Sequence, residues 1–179
     1  MSSIDLLILG IVLEGPISAY DIQKDVEYHH FSRWTRVSIP SVYKKVLQLR
    51  EQGYLDSSPA PGKRAGEKSI YTVTDKGRDY FLRLMEEQAA RPVPLLFDFN
   101  PVITNLNKLP TEKALTLVET LRQSISASAE ESEGYARAYP SLPLVGQTIF
   151  RQQALLYRAL LEWLDTFAAQ LREAAEHGK

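Results

Sequence analysis

The feature that most constrains the fold is a change in hydrophobic period at Gly53. Before this glycine, the segment "SVYKKVLQLRE" places Val42, Val46 and Leu49 at helical spacing, so that they share one face. After it, "YLDSSPA" and "KSIYTVT" are short and rich in residues that favour strands, and they flank the basic, turn-rich "PGKRAGE". The sequence therefore predicts a helix that ends near Gly53 and is followed by a β-hairpin.

Three further helices are predicted around this pair of elements. Residues 3–13 have the composition of a largely buried helix, a second helix runs from Ala19 to about His30, and a fourth follows the hairpin at Asp75. The segment "FSRWTRVS" between the second and third helices is a predicted loop. The predicted N-caps are Ser18, which Asp21 completes as a capping box, Ser38, with Pro40 in the first turn of its helix, and Thr74.

The second half of the chain is predicted to be helical. Residues 90–110 contain four prolines and many apolar side chains, which predicts a packed connector with a short helix at 101–109. Thr111 is the predicted cap of a long helix to about Tyr139, and a last helix covers about 144–176. We therefore expect a mainly α protein with an N-terminal domain at 1–89, a connector at 90–110 and a C-terminal helical dimerisation domain at 111–179.

Charge is distributed unevenly along the chain. The net charge is −1, yet residues 30–78 contain ten Lys or Arg against four acids, a local excess of +6. Such a basic region within a nearly neutral protein is typical of a protein that binds a polyanion. A chance asymmetry is the alternative.

The predicted element order is that of a winged helix-turn-helix. In this architecture the helix before the hairpin enters the major groove of DNA, and the hairpin contacts the backbone or minor groove. The third helix here has one apolar face and one polar face, as that role requires, although a solvated surface helix has the same pattern. The predicted DNA contacts on this helix are Ser38, Ser41, Tyr43, Lys44, Lys45 and Gln48. The hairpin, called the wing below, is predicted to contact DNA through Lys63, Arg64 and Lys68. Arg33 and Arg36 are predicted to clamp the DNA backbone.

The sequence resembles the PadR family of bacterial transcription regulators over roughly residues 4–82. The segment "GPISAYDIQKDVE" resembles the family's Gly-Pro-x-x-x-Tyr-Glu motif, and "SIPSVYKKVLQLREQGYL" is similar to its recognition helix. The segment "KSIYTVTDKGRDYF" resembles the motif Lys-x-Tyr-x-Ile-Thr-x-x-Gly-Arg. The chain departs from the family pattern on the presumed DNA face, at Ile39, Pro40, Lys44 and Leu47.

The second half resembles the longer-tailed branch of that family in length and helix pattern. This resemblance implies a homodimer whose C-terminal helices cross between subunits. The last helix is also apolar over a wide face, part of which can pack on the preceding helix. Aromatic effectors suit some members of the family, so Trp34 and Trp163 are candidates for stacking on one, with plain packing as the alternative. The predicted dimerisation residues are Ile149, Leu156, Leu160, Trp163, Phe167 and Leu171.

Other kinds of function find little support in the sequence. There are no cysteines, and His29, His30 and His177 do not form a ligand cluster with acids, so we expect no metal, no cofactor and no catalytic residues. The apolar run from Leu6 to Leu13 is too short to span a bilayer. We therefore expect a cytoplasmic repressor that binds double-stranded, dyad-symmetric DNA as a homodimer and responds to a small molecule. The alternative is a winged-helix module that binds another protein.

Overall fold

The protein divides into two compact units, Met1–Pro94 and Leu95–Lys179. The first unit contains a three-helix arrangement, a small sheet and a fourth helix, and the second contains two long helices preceded by short ones. The computed structural model describes residues 3–31, 35, 37–61, 67–140 and 142–177.

The first unit has the predicted order of helices and hairpin strands. The predicted second helix ends slightly early, at Tyr28, and the predicted hairpin strands pair with each other along their whole length in antiparallel register. These predictions are confirmed. The elements in chain order are α1 (Ser3–Leu13), β1 (Ile17–Ser18), α2 (Ala19–Tyr28), α3 (Ser41–Glu51), β2 (Leu55–Pro61), β3 (Glu67–Val73) and α4 (Asp75–Ala89).

Strand β1 was not predicted from the sequence. It pairs antiparallel with β3, where Ile17 lies opposite Tyr71 and Ser18 lies opposite Ile70. The sheet order is therefore β1-β3-β2, with β3 in the centre. A strand of two residues is too short to show the alternation of apolar and polar residues by which strands are identified in a sequence.

The core of the first unit is formed by apolar side chains from all four helices and the sheet. Each Val, Leu or Ile that it fully buries contributes roughly 1.5–3 kcal/mol relative to an exposed position. The apolar face predicted for α3 is part of this core, which confirms that prediction. The side chains with no more than 1% exposure are Ile8, Leu9, Ile22, Val26, Val42, Val46, Leu49, Leu55 and Leu84.

Two of the predicted N-caps have the expected geometry. The Ser18 side chain accepts a hydrogen bond from the Asp21 backbone N–H at 3.2 Å, and its hydroxyl donates to Asp21 Oδ2 at 2.6 Å. The Thr74 side chain accepts from the Gly77 backbone N–H at 3.0 Å. These bonds satisfy N–H groups that have no partner within the first helical turn.

The second unit is built around a pair of long helices. Helices α6 and α7 pack on each other, and the segment before them contributes Leu106 to the same buried core. Phe99 and Ile103 pack against this core, so residues 95–110 belong to the second unit. The elements are α5 (Asn100–Ile103), a 3-10 turn (Leu106–Lys108), α6 (Thr111–Ala138) and α7 (Leu144–His177), and the buried residues are Leu106, Ala114, Val118, Ile125 and Leu164.

Two predicted N-caps are wrong, and a proline takes the position in both cases. Helix α3 has Pro40 as its N-cap and α6 has Pro110, and neither helix has a side-chain cap bond. Ser38 instead offers its backbone carbonyl to Ser41, which donates from its backbone N–H at 3.0 Å and from its hydroxyl at 2.5 Å. Thr111 is the first helical residue of α6 and not its cap.

Candidate nucleic-acid interface

Helix α3 presents two chemically different faces. Val42, Val46 and Leu49 have no solvent exposure. Ser41 and Lys44 are exposed on the other side of the helix, and Tyr43 is 53% exposed. Gln48 lies between Ser41 and Lys44 on the outer side of the helix and is half-buried, as is Leu47. The buried face fixes the helix in the domain, so that the exposed face is held in a defined orientation.

The N-terminal end of α3 favours negative charge. Its first turn contains no acidic residue, and backbone N–H groups at a helix N-terminus attract anions through the helix dipole. Ser38 and Ser41 are exposed at this end and hydrogen-bond to each other. The structure therefore places two of the predicted contact residues together with Lys44 around the start of the helix.

The C-terminal end of α3 is joined to the start of α4 through backbone groups. Gly53 turns the chain with a φ of 76°, a conformation that favours glycine. The Thr74 hydroxyl donates to the Gly53 carbonyl at 2.8 Å, and the Thr74 N–H donates to the Tyr54 carbonyl at 3.2 Å. Lys76 Nζ donates to the Gln52 carbonyl at 2.7 Å. The three carbonyls that accept these bonds follow directly after the last helical residue of α3, so the bonds fix the chain that leaves the helix to the start of α4.

Gly77 lies in this joint because no side chain fits there. A Cβ atom at Gly77 would lie 2.1 Å from the Tyr54 carbonyl oxygen and 2.9 Å from Val73 Cγ1. The sequence motif around Gly77 therefore has a structural basis, which is the close approach of α4 to the chain that leaves α3.

Lys45 lies on a different side of α3 from Lys44. Its Nζ is 3.1 Å from Oδ1 of Asp5, and its side chain is 26% exposed against 8% for Asp5. Oδ2 of the same carboxylate accepts a hydrogen bond from the Tyr80 hydroxyl at 3.3 Å. The structure thus separates the two adjacent lysines, since Lys44 faces solvent and Lys45 faces α1.

The wing contributes Lys68 at the start of β3. Lys68 Nζ lies 3.5 Å from Asp21 Oδ2, and both side chains are 46% exposed. The hydrogen bond from Ser18 and then the nearby Lys68 lower the pKa of Asp21, although burial acts in the opposite direction. An exposed pair of this kind contributes little to stability.

Five predicted contact or effector residues lie outside the described residues. Their assignment stays a prediction from the sequence. They are Arg33, Trp34 and Arg36 in the loop before α3, and Lys63 and Arg64 at the tip of the wing.

The predicted dimerisation residues on α7 fall into two groups. Leu160, Phe167 and Leu171 pack against the core of the second unit, so α6 covers part of the apolar face. Leu156 and Trp163 are 44% and 39% exposed. Ile149 is half-buried near the start of the helix.

Aromatic rings stack along one side of the second unit. Trp163 lies between Phe99 and Phe167, with ring centroids 6.1 Å from each, and Phe97 stacks on Phe99 at 5.1 Å. A separate cavity of about 370 Å³ lies where α6 and α7 meet at their connection. Its lining includes Tyr139, Phe150 and Arg151 but not Trp163.

The described part of the chain contains no cluster of three or more His, Cys, Asp or Glu that is suited to a metal ion. Within the same residues, every helix is too short or too polar to cross a bilayer.

Sequence reasoning missed the residues that hold α3 in place. Asp5, Tyr54, Lys76 and Tyr80 contact α3 or the chain that leaves it, and none was a candidate. Asp5 did carry a signal, because it is the one charged residue in the apolar segment 3–13. A lone carboxylate on a buried helix indicates a partner elsewhere in the fold.

These features together define a winged helix-turn-helix protein with a helical second unit. Residues 8–83 match the profile of the Transcriptional regulator PadR-like family. Residues 8–83 therefore form a PadR-like segment of the chain. The resemblance stated from the sequence motifs is confirmed.

Solved structures share the fold over nearly the whole chain. Bacillus subtilis PadR in complex with operator DNA is 19% identical, with a TM-score of 0.76 and coverage of 95% of this chain and 99% of the other. Bacillus subtilis PadR in complex with p-coumaric acid is 17% identical, with a TM-score of 0.74 and coverage of 94% and 98%. The Vibrio cholerae virulence activator AphA is 18% identical, with a TM-score of 0.67 and coverage of 96% and 99%. No curated protein matches the chain significantly.

Proposed function

We propose that the protein is a sequence-specific DNA-binding transcriptional regulator that represses its targets. The observation that carries this proposal is the geometry of α3, whose inner face is fully buried while Ser41, Tyr43 and Lys44 are exposed beside an acid-free helix N-terminus. The match of residues 8–83 to the Transcriptional regulator PadR-like family supports the same function. The related PadR of Bacillus subtilis has been solved with operator DNA, which is consistent with it.

The exposed residues of α3 have the chemistry needed to read a major groove. Lys44 can donate to guanine edges or to phosphates, Gln48 can pair with adenine, and the Ser41 hydroxyl can both donate and accept. Ser38 and Tyr43 flank them, and the helix N-terminus favours a phosphate. We therefore propose that α3 supplies the base contacts and that Lys44 also neutralises a phosphate.

The wing and the loop before α3 supply backbone contacts in this proposal. Lys68 exchanges Asp21 for a phosphate when DNA binds, while Lys63 and Arg64 act at the wing tip. Arg33 and Arg36 clamp the backbone next to α3. Contacts of this kind carry most of the affinity and fix the register on the duplex.

We propose that the regulator is a homodimer that binds a dyad-symmetric site. The exposed Leu156 and Trp163 on α7 supply the apolar contact between subunits, with Ile149 at the edge. Leu160, Phe167 and Leu171 support α7 from within the unit. A two-fold dimer presents two α3 helices to two half-sites.

A small aromatic molecule is the proposed effector. Bacillus subtilis PadR has been solved with p-coumaric acid, and this chain has an aromatic stack around Trp163 and a separate cavity lined by Tyr139, Phe150 and Arg151. Trp34 is a second candidate for stacking, from the sequence. Release of a labelled operator by such a molecule, with quenching of tryptophan fluorescence, tests this proposal, and retention of the operator at saturating ligand contradicts it.

The proposal also places the protein in the cytoplasm and assigns it no enzymatic activity. A regulator of transcription acts where the chromosome is, and the family consists of transcriptional regulators.

The test of DNA binding uses the promoter fragment upstream of the protein's own gene. Lys44→Ala is expected to weaken binding and to lower the slope of log K against log salt by about one unit, because one phosphate contact is lost. Lys63→Ala is expected to act in the same direction at the wing. The matched control is Lys113→Ala on α6, an exposed lysine in the second unit, which should leave both quantities unchanged. Wild-type affinity for Lys44→Ala would contradict the assignment of α3.

The alternative function is a winged-helix module that binds another protein through its basic face. Failure of the wild-type protein to retard any duplex would favour this alternative. Salt-dependent binding and a footprint over a dyad-symmetric repeat would favour the regulator.

A further inference from the structure

The buried carboxylate of Asp5 connects three helices of the DNA-binding unit. Asp5 lies on α1, accepts the Tyr80 hydroxyl of α4 at 3.3 Å, and lies 3.1 Å from Lys45 Nζ of α3. Its side chain is 8% exposed, so the negative charge is largely removed from water. Within the described residues Oδ1 makes no aligned hydrogen bond, so the ion pair with Lys45 is its compensation.

A charge in this position requires its partner. An ionised carboxylate that is buried without a cation is strongly unfavourable, and removing one member of a buried pair leaves the other uncompensated. Lys45 follows Lys44 directly, but at 100° per residue it lies beside Val42 and Leu49 at the edge of the buried face. Its stem is therefore constrained by the core while its ammonium group is held by α1.

A second connection runs from the same carboxylate to the end of α3. The Tyr80 ring stacks on the Tyr54 ring at 4.2 Å with an interplanar angle of 18°. Tyr54 is the residue whose N–H donates to the Leu49 carbonyl at the C-terminus of α3, at 2.9 Å. Burial, followed by the neighbouring Asp5, raises the pKa of Tyr80, so its hydroxyl keeps the proton that it donates. Asp5 is thus connected to the middle of α3 through Lys45 and to its C-terminal end through Tyr80 and Tyr54.

We propose that Lys45 is a positioning residue, which together with Asp5 and Tyr80 fixes the orientation of α3 and does not contact DNA. The ion pair between Asp5 and Lys45 keeps α3 in the orientation in which Ser41, Tyr43 and Lys44 face the major groove of DNA. This inference rests on the proposed function, and it revises the role that the sequence suggested for Lys45.

The direction in which Asp5→Asn changes the affinity for the operator distinguishes this proposal from a purely electrostatic effect. Asp5→Asn removes a negative charge from a DNA-binding domain and releases Lys45, so charge alone predicts tighter binding and a salt slope larger by about one unit. The positioning role predicts the opposite, namely weaker binding to the operator, a smaller ratio of specific to non-specific affinity, and an unchanged slope. The matched control is Asp79→Asn, an exposed acid on α4, which should not weaken binding.

The roles of Lys45 and Lys44 are distinguished by measuring operator affinity and salt slope for variants of both. Lys45→Met should weaken operator binding without changing the salt slope, whereas Lys44→Ala lowers the slope by about one unit. Lys45→Arg keeps the cation and should restore the wild-type specificity ratio. A lowered slope for Lys45→Met would show that Lys45 is a phosphate contact and would overturn the proposal, as would tighter binding by Asp5→Asn.

Urea unfolding of the same proteins provides a readout that does not depend on DNA. Because the two groups compensate each other, the combined Asp5→Asn and Lys45→Met protein should be less destabilised than the sum of the single variants. Additive effects would overturn the ion pair as a constraint on α3, and this measurement remains informative if one single variant folds poorly. Absence of DNA binding by the wild-type protein would overturn the proposed function alone, since the coupling in unfolding is measured separately.

Discussion

At the scale of single residues, Gly77 marks where α4 approaches the chain that leaves α3 most closely. We expect Gly77→Ala to lower the free energy of unfolding by about 2 kcal/mol or more, because the added Cβ meets the Tyr54 carbonyl oxygen at 2.1 Å and backbone must move. Urea denaturation followed by circular dichroism measures this change.

The control for Gly77→Ala is another helical glycine. Gly134 lies in α6 with nothing within 4 Å of an added Cβ, so Gly134→Ala should be neutral or stabilising by up to about 1 kcal/mol through helix propensity. Equal effects at the two positions would contradict the close approach as the cause.

The cap formed by Ser18 and Asp21 predicts a specific loss of stability in acid. The folded pKa of Asp21 lies below the ordinary value of 3.8, so its contribution is complete above that value and is lost as pH falls through the lowered pKa. Asp21→Asn should therefore show a smaller loss of stability below about pH 4, with a difference under about 1 kcal/mol at neutral pH because the group is exposed.

Urea midpoints at a series of pH values test the role of Asp21. The control is Asp56→Asn on β2, because the Asp56 side chain is exposed and makes no hydrogen bond or ion pair with the residues that the structure describes. An identical acid dependence for Asp21→Asn and the wild-type protein would rule out the cap as its source.

The pair Lys44 and Lys45 shows where residue-level prediction from sequence stops. The helical period correctly assigned Val42, Val46 and Leu49 to the core and left Lys44 exposed. The same period placed Lys45 at the flank of the polar face, and it was predicted there as a DNA contact. The carboxylate that holds Lys45 lies 40 positions earlier in the chain, and no local pattern reports a contact at that separation.

At the scale of elements, α7 has more apolar surface than its own unit covers. Leu156 and Trp163 lie seven residues apart and therefore on nearly the same side of the helix, and both are exposed. If this side is the dimer contact, Leu156→Glu places a charge in it and should shift the protein toward monomer at micromolar concentration. Sedimentation velocity measures the shift, with unchanged helicity as evidence that each subunit remains folded.

The control for this variant introduces the same charge elsewhere on α7. Ala169 is exposed and lies on another side of the helix, so Ala169→Glu should leave the mass distribution unchanged. A Leu156→Glu protein that remains dimeric would place the subunit contact on other residues.

The elements themselves were largely predictable, and the exceptions have physical reasons. The long segments with helical hydrophobic period correctly predicted all the major helices. The runs of β-branched residues on either side of a basic turn correctly predicted the hairpin. Strand β1 was not predicted because it is formed by pairing with β3, and its two residues carry no strand pattern of their own. Ser38 and Thr111 were wrongly predicted as N-caps because Pro40 and Pro110 take that position. A proline has a fixed φ, so a helix can begin after it without a hydrogen bond from a capping side chain.

At the scale of the whole molecule, the two units have separate cores. The first gathers residues from α1 to α4 around the face of α3, and the second gathers α6 and α7 around Leu164. The proline-rich segment 90–110 was the feature of the sequence that predicted a boundary between the two units. The partner that covers the remaining face of α7 is not encoded by any local pattern, which is why the dimer contact stays a proposal.

Ser18 has a mechanical consequence for DNA binding. Its backbone lies opposite Ile70 in the sheet, and its hydroxyl begins α2. The β1–β3 pairing therefore joins the hairpin to the first turn of α2, and α2 packs on α3. In the proposed complex, a bent or narrowed groove that pushes on the hairpin would transmit strain through this path to α3, so the affinity would depend on the stiffness of the DNA.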